Sequence, residues 1–264
     1  MRIARYAREG QIHYGLVELE ADGGPHPQTV ADLTGDPLVG PVDLTGARHD
    51  LEQVRLLAPV LPRSKVVGLA RNWAPEADPP GEDDFPEVFL KPNTSVIGPN
   101  DPIVVPRRGP NTVLEGEVAV VIGRICRQLP LQRVPEVVFG YTIANDVTMR
   151  DFLAPGGPWG LAKGFDASTP LGPWIVSHLT LAQAGQLELT TSLDADPVQH
   201  GSTAGLRWSI ERQIAYLSQV MTLLPGDVVL TGTPPGSCRI APGQVVTVLV
   251  EEIGRLANPV VAEV

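Results

Sequence analysis

The chain is organised around residues 112–123, which read TVLEGEVAVVIG. Valine and isoleucine dominate this stretch and a glycine ends it, a composition typical of a buried β-strand. Side chains two residues apart on a strand point to the same side, so Glu115 and Glu117 share one face. Two buried carboxylates repel each other, and each is costly to bury while charged and unpaired. A divalent cation that prefers oxygen ligands would neutralise them; an edge strand with two solvated glutamates is the alternative.

A second stretch favours the metal interpretation. Residues 140–151 read GYTIANDVTMRD; they begin as a strand and break at Asn145 and Asp146. A carboxylate at the point where a strand gives way to a loop is well placed to serve a site. Asp146 is therefore predicted to supply a third oxygen ligand, which leaves the remaining coordination positions to water and substrate.

Length and composition restrict the class of protein. The 264 residues suffice for one large domain or for a large and a small one, and 43% hydrophobic content supports a core. A net charge of −10 argues against nucleic acid and anionic membrane surfaces as partners. No apolar run approaches the roughly 18 residues that span a bilayer. Two isolated cysteines, Cys126 and Cys238, and the lack of a secretory signal predict a cytoplasmic protein.

Prolines and loop-forming residues divide the chain. Pro59 and Pro62 mark a linker, so we predict a small N-terminal α/β domain over residues 1–60 and a catalytic domain over residues 61–264. Residues 71–84 are acidic and rich in proline, which favours a mobile loop or lid over a helix. The apolar stripe that follows a capping serine predicts a helix over residues 209–221.

Three further positions are candidates for the site. Lys163 lies in an apolar, glycine-flanked setting, where a lysine without a partner is unusual. Lys91 is either exposed to solvent or projects into the site. Residues 227–236, DVVLTGTPPG, read as a strand followed by a loop of small residues. The amides and threonine hydroxyls of that loop could hold a carboxylate, and a plain turn is the alternative.

Taken together and in order, four stretches resemble the fumarylacetoacetate hydrolase family over about residues 63–264. They are LEGEVAVVIG at 114–123, GYTIANDVTMRD at 140–151, AKGFD at 162–166 and LPGDVVLTGTP at 224–234. The resemblance implies a mainly β fold with some α: a mixed β-sandwich or β-roll catalytic domain with a small N-terminal domain. It also implies a homodimer that binds Mg²⁺ or Mn²⁺.

The resemblance further implies a site and a chemistry. The family acts on small anionic 2-oxo acids or β-dicarbonyl compounds, so we expect a hydrolase, lyase or isomerase that works through a metal-stabilised enolate. The predicted site residues fall into three groups: metal ligands Glu115, Glu117 and Asp146, catalytic residues Lys163, Arg150 and Glu76, and substrate-binding residues Lys91, Gly232 and Thr233. All of them except Glu76 stand at positions that match the family's motifs.

Two positions depart from the family pattern. Hydrolytic and decarboxylating members often carry Asn-Tyr-x-x-His-x-x-Glu after the first strand, with the His and Glu as a water-activating dyad. Here Asn72 and Trp73 match, but Glu76 stands at the His position and Pro79 at the Glu position. Leu153 also replaces a glutamine that usually follows the arginine by three residues.

The absence of the dyad argues against hydrolysis by water attack and leaves more than one function possible. Glu76 is either a replacement base or a solvated loop carboxylate. The protein as a whole is either an enzyme of this type or a metal-retaining protein that binds a small acid or serves a specialised pathway. A third alternative is a purely structural ion that ties strands together.

Overall fold

The computed structural model describes residues 1–24, 26–73, 81, 84–153 and 157–264. Most of the predicted loop or lid at residues 71–84, including Glu76, lies outside the described residues. In the described part of the chain, no helix is long and apolar enough to cross a bilayer.

Strands account for most of the regular structure, which confirms the mainly β prediction. In chain order they are β1 (Arg2–Arg8), β2 (Gln11–Glu18), β3 (Thr29–Leu33), β4 (Leu44–Asp50), β5 (Arg55–Leu57), β6 (Val66–Ala70), β7 (Glu87–Lys91), β8 (Val96–Ile97), β9 (Ile103–Val105), β10 (Thr112–Val113), β11 (Gly116–Ile122), β12 (Val138–Asn145), β13 (Thr148–Met149), β14 (Thr169–Val176), β15 (Glu188–Leu193), β16 (Asp196–Ser202), β17 (Val228–Leu230), β18 (Val245–Val250) and β19 (Gly254–Ala262).

Helices are few and short in the described residues. The α-helices are α1 (Trp159–Lys163), α2 (Leu181–Ala184) and α3 (Ile210–Val220), and the 3₁₀ turns are Glu20–Asp22, Leu51–Gln53, Asn93–Ser95, Leu131–Glu136, Arg150–Phe152 and Thr203–Gly205. The predicted helix at residues 209–221 is confirmed as α3. Its N-cap is Ser209, whose side chain accepts a hydrogen bond from the amide of Arg212.

Two mixed sheets form the body of the molecule. The larger has the order β4-β3-β2-β1-β14-β12-β11-β17-β6-β7, with β5 paired to β1 and β8 paired to β14. The second has the order β16-β15-β18-β19-β9, and β10 and β13 form a separate pair. Strands β15 and β18 contact β11 and β12, so the second sheet covers the centre of the first. This places β11 inside the protein, and all seven of its residues are buried.

The N-terminal segment differs from the predicted α/β domain. The described part of residues 1–60 contains strands and two 3₁₀ turns but no α-helix, so the α part of that prediction is wrong. Alternation of apolar and polar residues in β1 and β2 explains the result, because this pattern suits a half-buried hairpin. Strand β1 also pairs with β14 through Arg2 and Ile3, so the segment extends the sheet of the catalytic part.

The predicted strand at residues 112–123 is interrupted. Leu114 and Glu115 separate β10 from β11, so the prediction of one continuous strand is wrong at this point. The amide of Leu114 donates to the carbonyl of Cys238, and the amide of Glu115 donates to Oδ1 of Asn145, a side chain rather than a strand backbone. These two bonds satisfy the backbone where the ladder stops.

Gly68 on β6 leaves room for an aromatic ring that reaches the site. It lies opposite Phe89 of β7, and a Cβ placed on Gly68 would lie 2.1 Å from Cζ of that ring. Phe89 in turn contacts Trp159 and lies beneath the ammonium of Lys163. The glycine therefore allows Phe89 to support α1 from below.

We expect Gly68→Ala to lower the free energy of unfolding by about 1–3 kcal/mol, the usual cost of overpacking a filled core. Urea denaturation measures this change. Gly185→Ala is the matched control, because its Cβ would lie at 3.4 Å from the carbonyl oxygen of Leu181, an ordinary contact. Equal stability of the two variants would show that Phe89 moves freely and does not support α1.

Candidate active site

Three of the predicted acidic residues meet where two neighbouring strands end. Strand β11 pairs with β12 so that Gly116 lies opposite Asn145. Asp146, the residue after β12, therefore comes to lie beside Glu115, and its amide donates to the Glu115 carbonyl oxygen at 2.8 Å. The edge-strand alternative is excluded, because β11 lies between β12 and β17.

These carboxylates line a cavity of about 350 Å³. Its polar lining includes Lys163, Arg150, Thr233 and Ser237, and its other walls include Leu69, Trp73, Trp159 and Pro234. The cavity therefore combines a charged floor with apolar and aromatic walls, an arrangement typical of small-molecule sites.

Lys163 lies between two of the carboxylates. It is the last residue of α1, and its Nζ donates to Oε2 of Glu115 at 2.8 Å and to Oδ2 of Asp146. The same ammonium lies 4.6 Å from the centroid of the Phe89 ring, a cation–π contact. Burial by itself would lower the pKa of Lys163, but the charges of Asp146 and Glu115 outweigh it and raise the pKa above its ordinary value. The predicted placement of Lys163 at the site is therefore found in the structure.

Lys91 lies behind the site rather than in its lining. Its side chain is fully buried, and its Nζ donates to Oδ1 of Asp146 at 2.5 Å and to the carbonyl oxygen of Ser168 at 2.9 Å. It is absent from the residues that line the cavity, so the prediction that it lines the site is wrong. The reason is its position on β7, from which the side chain points beneath Asp146. Burial lowers the pKa of Lys91, and Asp146 opposes that effect.

Asp146 is held by both lysines. Burial would raise the pKa of its carboxyl group, yet Lys163 and Lys91 together hold that pKa below its ordinary value. Asp146 is therefore ionised and fixed in orientation by two charge-assisted hydrogen bonds.

Glu117 lies in a different electrostatic environment from Asp146. Its residue is 2% exposed, and Oε2 accepts a hydrogen bond from the amide of Gly232 at 2.6 Å. In the described part of the chain, Glu117 takes part in no ion pair. Burial, and then the charge of Asp146, raise the pKa of its carboxyl group well above the ordinary value. Glu117 is thus a buried carboxyl group that forms no ion pair among the described residues, although the charge of Lys163 partly opposes the rise in its pKa.

The predicted substrate-binding loop lies against the same strand. Thr233 lines the cavity, and its Oγ1 donates to the carbonyl oxygen of Gly116 at 2.8 Å. Gly232 is not part of the lining, since its amide is directed at Glu117. Arg150 is exposed at the cavity rim, where its Nη2 donates to Oγ of Ser237 at 2.6 Å.

The acidic side chains suit a divalent cation in chemical type but not in their present arrangement. Within the described ranges, no three His, Cys, Asp or Glu side chains are grouped so that they could hold a metal ion as they stand. The reason is Lys163, which occupies the space between Glu115 and Asp146. The donor set itself fits Mg²⁺ or Mn²⁺, because it consists of carboxylate oxygens. Glu117, whose pKa burial raises, would become the third anionic ligand once a bound cation favoured its ionised form.

Comparison with known proteins identifies the family. A model described as fumarylacetoacetate (FAA) hydrolase C-terminal matches residues 64–261. The chain belongs to the fumarylacetoacetate hydrolase family. A second model, described as Rv2993c-like N-terminal, matches residues 1–59.

Relatives of this family cover the whole chain. Protein Rv2993c of Mycobacterium tuberculosis is 41% identical over 99% of this chain and 98% of its own length. The crystal structure of a 5-carboxymethyl-2-hydroxymuconate delta-isomerase from Mycobacterium smegmatis has a TM-score of 0.90 and 42% identity, and each chain is covered over 100%. A maleylpyruvate hydrolase from Sphingobium sp. SYK-6, in complex with manganese(II) and pyruvate, has a TM-score of 0.81, 28% identity and 100% coverage of both chains. The predicted family fold is therefore confirmed.

Sequence reasoning missed several residues that hold this site together. Thr148 donates to Oε2 of Glu115 at 3.0 Å, and the side chain of Asn145 holds the Glu115 amide. Gln199 contacts both Gly116 and Thr233. A strand pattern could not have found Gln199, because it lies on β16, more than 80 positions from Gly116 in sequence. Asn145 and Thr148, by contrast, lie within two residues of Asp146 in the sequence, so their proximity to the site could have been predicted.

We expect Lys91→Met to lower the free energy of unfolding by about 3 kcal/mol, because it leaves the buried Asp146 with one ammonium partner fewer. Urea denaturation of the folded protein measures the change.

The control is Arg55→Met. Arg55 also forms an ion pair, with Asp101 at 2.7 Å, but its side chain is 68% exposed. A surface pair contributes about 0–1 kcal/mol, so this variant should retain nearly all the stability. A loss with Lys91→Met no larger than with Arg55→Met would contradict the buried pairing.

Proposed function

We propose that this protein is a divalent-metal-dependent enzyme that acts on a small 2-oxo acid or β-dicarbonyl compound through an enolate. The supporting observation is the cavity in which Glu115, Glu117 and Asp146 face Lys163 and Thr233. Family membership and the manganese(II) and pyruvate in the maleylpyruvate hydrolase structure support the same proposal. The homodimer and the cytoplasmic location stay predictions from the sequence.

Glu115, Glu117 and Asp146 would hold the cation. When bound, the ion would act as a Lewis acid on the oxygens of a 2-oxo acid. Gly232 fixes one carboxylate oxygen of Glu117, while Thr148 and Lys163 fix Oε2 of Glu115. The bonds from Gly232 and Thr148 fix the orientation of two carboxylates before any ligand arrives. Binding of a cation between Glu115 and Asp146 would require the Lys163 ammonium to move from the space between them.

The cationic side chains would stabilise negative charge on the substrate. Lys163 lies at the cavity floor and Arg150 at the rim, so a small acid between them faces positive charge at both ends. Donors that are already oriented toward a developing oxyanion lower its energy at no cost of rearrangement. Trp73 and Trp159 supply flat apolar walls that suit a planar conjugated acid.

Among the reactions that pass through an enolate, isomerisation of an unsaturated 2-hydroxy acid is the first to test. The His/Glu dyad of hydrolytic members is replaced by Glu76 and Pro79, and Glu76 lies outside the described residues. The isomerase from Mycobacterium smegmatis, with 42% identity, supports the same order of testing. Decarboxylation and C–C hydrolysis follow in that order, because hydrolysis alone needs an activated water.

We expect Glu117→Gln to abolish turnover and to weaken Mn²⁺ binding by more than about 100-fold. Loss of a residue that only hydrogen-bonds to a metal ligand typically lowers metal affinity by about 10–100-fold, and loss of a ligand itself should cost more. Calorimetry with Mn²⁺ measures the affinity. Turnover is followed with a panel of a dienoic 2-hydroxy acid, oxaloacetate and an acylpyruvate, before and after exhaustive chelation.

Glu136→Gln is the matched control, because Glu136 pairs with Arg133 at the surface and should leave both readings unchanged. Full activity of the Glu117→Gln protein, or of the chelated wild type, would defeat the proposal.

A binding-only function is the second candidate. It is favoured by the replacement of the His/Glu dyad by Glu76 and Pro79, which removes the usual water-activating pair. Rapid turnover of any member of the substrate panel rules this candidate out. Tight Mn²⁺ and pyruvate binding with no turnover of the panel would support it.

A further inference from the structure

Gln199 connects the two parts of the site from a different sheet. It lies on β16 in the second sheet and is 2% exposed. Its side chain reaches Gly116, the residue between two of the carboxylates, and also the loop of Thr233 and Pro234. No other role for this buried amide follows from the packing, since each of its polar atoms is used in these three contacts.

The orientation of the Gln199 amide is fixed by its partners. The backbone N–H of Gly116 can only donate, so the atom that it meets at 3.0 Å is Oε1. The carbonyl oxygen of Pro234 can only accept, so the atom that it meets at 2.7 Å is Nε2. Two independent partners therefore give the same assignment and exclude the flipped amide.

This assignment determines the direction of the Thr233 hydroxyl. Nε2 of Gln199 also donates to Oγ1 of Thr233 at 2.8 Å, so the hydroxyl is an acceptor in that bond. Its own proton is donated to the carbonyl oxygen of Gly116 at 2.8 Å. The proton consequently points to the strand, and the lone pair that remains is the part of the hydroxyl left for a ligand.

We propose that Gln199 is a positioning residue for ligand binding, which acts by fixing Thr233 as a hydrogen-bond acceptor at the cavity wall. The inference rests on the proposed function. It changes the expected role of Thr233: the hydroxyl receives a donor of the ligand, such as an enol O–H, instead of donating to its carboxylate. The positively charged groups of the site, Lys163 and Arg150, remain for the carboxylate.

Two substitutions separate the donor side of Gln199 from its acceptor side. Gln199→Leu removes both. Gln199→Glu keeps an acceptor for the Gly116 amide but replaces the Nε2 donor by a carboxylate oxygen, which repels the Pro234 carbonyl and draws the Thr233 proton away from Gly116. If the orientation of Thr233 matters for binding, both variants lose affinity, although only Gln199→Leu frees the Gly116 amide.

Asn258→Leu is the matched control. Asn258 is also 2% exposed, lies in the same sheet and donates from Nδ2 to the carbonyl oxygens of Gly98 and Asp101. Neither of those residues lines the cavity. The control therefore removes a comparable pair of buried hydrogen bonds without touching the site.

The experiment measures two affinities by calorimetry in the presence of saturating Mn²⁺: that for lactate, whose 2-hydroxyl group can donate a hydrogen bond, and that for pyruvate, which has no such donor. Hydrogen exchange of the Gly116 amide is followed by NMR. We expect both Gln199 variants to bind lactate about tenfold more weakly, the effect of about one lost hydrogen bond, and to lose less affinity for pyruvate, whereas Asn258→Leu should change either affinity by less than about twofold. Exchange of the Gly116 amide should become about tenfold faster in Gln199→Leu, because that variant removes the hydrogen bond from the amide to Oε1 of residue 199. Exchange should stay slow in Gln199→Glu, which keeps an acceptor oxygen at this position.

Two results would overturn the inference: wild-type affinity in the Gln199→Glu protein, or an equal loss of affinity with Asn258→Leu. A wild-type protein that binds neither Mn²⁺ nor either acid would instead reject the proposed function. In that case the exchange measurement still tests the contact between Gln199 and Gly116 on which the inference rests, and unchanged Gly116 exchange in Gln199→Leu would overturn it.

Discussion

The interaction on which the site depends is the buried carboxylate of Asp146 between the ammonium groups of Lys91 and Lys163. Removing a carboxylate from water costs several kcal/mol, and the charge stays only where partners of opposite sign compensate for it. The two lysines come from β7 and α1, while Asp146 follows β12. Two ion pairs to one carboxylate therefore connect the edge of the large sheet and a short helix to the sheet centre. Correct folding of three distant segments is required before the cavity exists.

The same cluster leaves one carboxyl group without a counter-charge. Its five titratable groups are two lysines and three carboxyl groups; Asp146 and Glu115 pair with the lysines, and burial raises the pKa of the third carboxyl group, Glu117, well above its ordinary value. Asp146 forms ion pairs with both lysines, and Glu115 forms one with Lys163. The carboxyl group of Glu117 accepts a hydrogen bond from the Gly232 amide instead. A protein that needed these residues only for stability would gain by replacing Glu117 with an apolar side chain. Its presence at 2% exposure is therefore better explained by a cation or ligand that it serves.

Local patterns predicted the parts of the site that lie on one strand or at its end. The spacing of Glu115 and Glu117 and the break at Asp146 could be read from the chain, because strand periodicity and loop onset are local properties. The position of Lys91 could not. Whether a lysine on β7 faces the cavity or lies behind Asp146 depends on how that strand is placed by β6, and this is a long-range property of the sheet.

The break between β10 and β11 illustrates a second limit. The composition of residues 112–123 favours a continuous strand, and each half does form one. The interruption comes from the side chain of Asn145, which takes the Glu115 amide in place of a backbone carbonyl. Residue propensities cannot predict that a side chain will replace a backbone carbonyl as the partner of a strand amide, because asparagine at a strand end is equally compatible with a simple turn. The resemblance to the family supplied the expected role of this region, but not its local geometry.

The fold leaves the reaction undetermined, and the reason lies in which residues face the reacting atoms. Relatives with this fold carry both isomerase and hydrolase names, so the carboxylates and the sheets that hold them serve more than one chemistry. The choice depends on groups that move protons. Among the described residues of the cavity wall there is no histidine, and the polar side chains beyond the acidic cluster are those of Arg71, Arg150, Lys163, Thr233 and Ser237 together with the indole N–H groups. An attacking water would find no imidazole base on that wall. Proton transfer to the carbon of an enolate needs only one donor, and the described wall can supply that donor without the dyad.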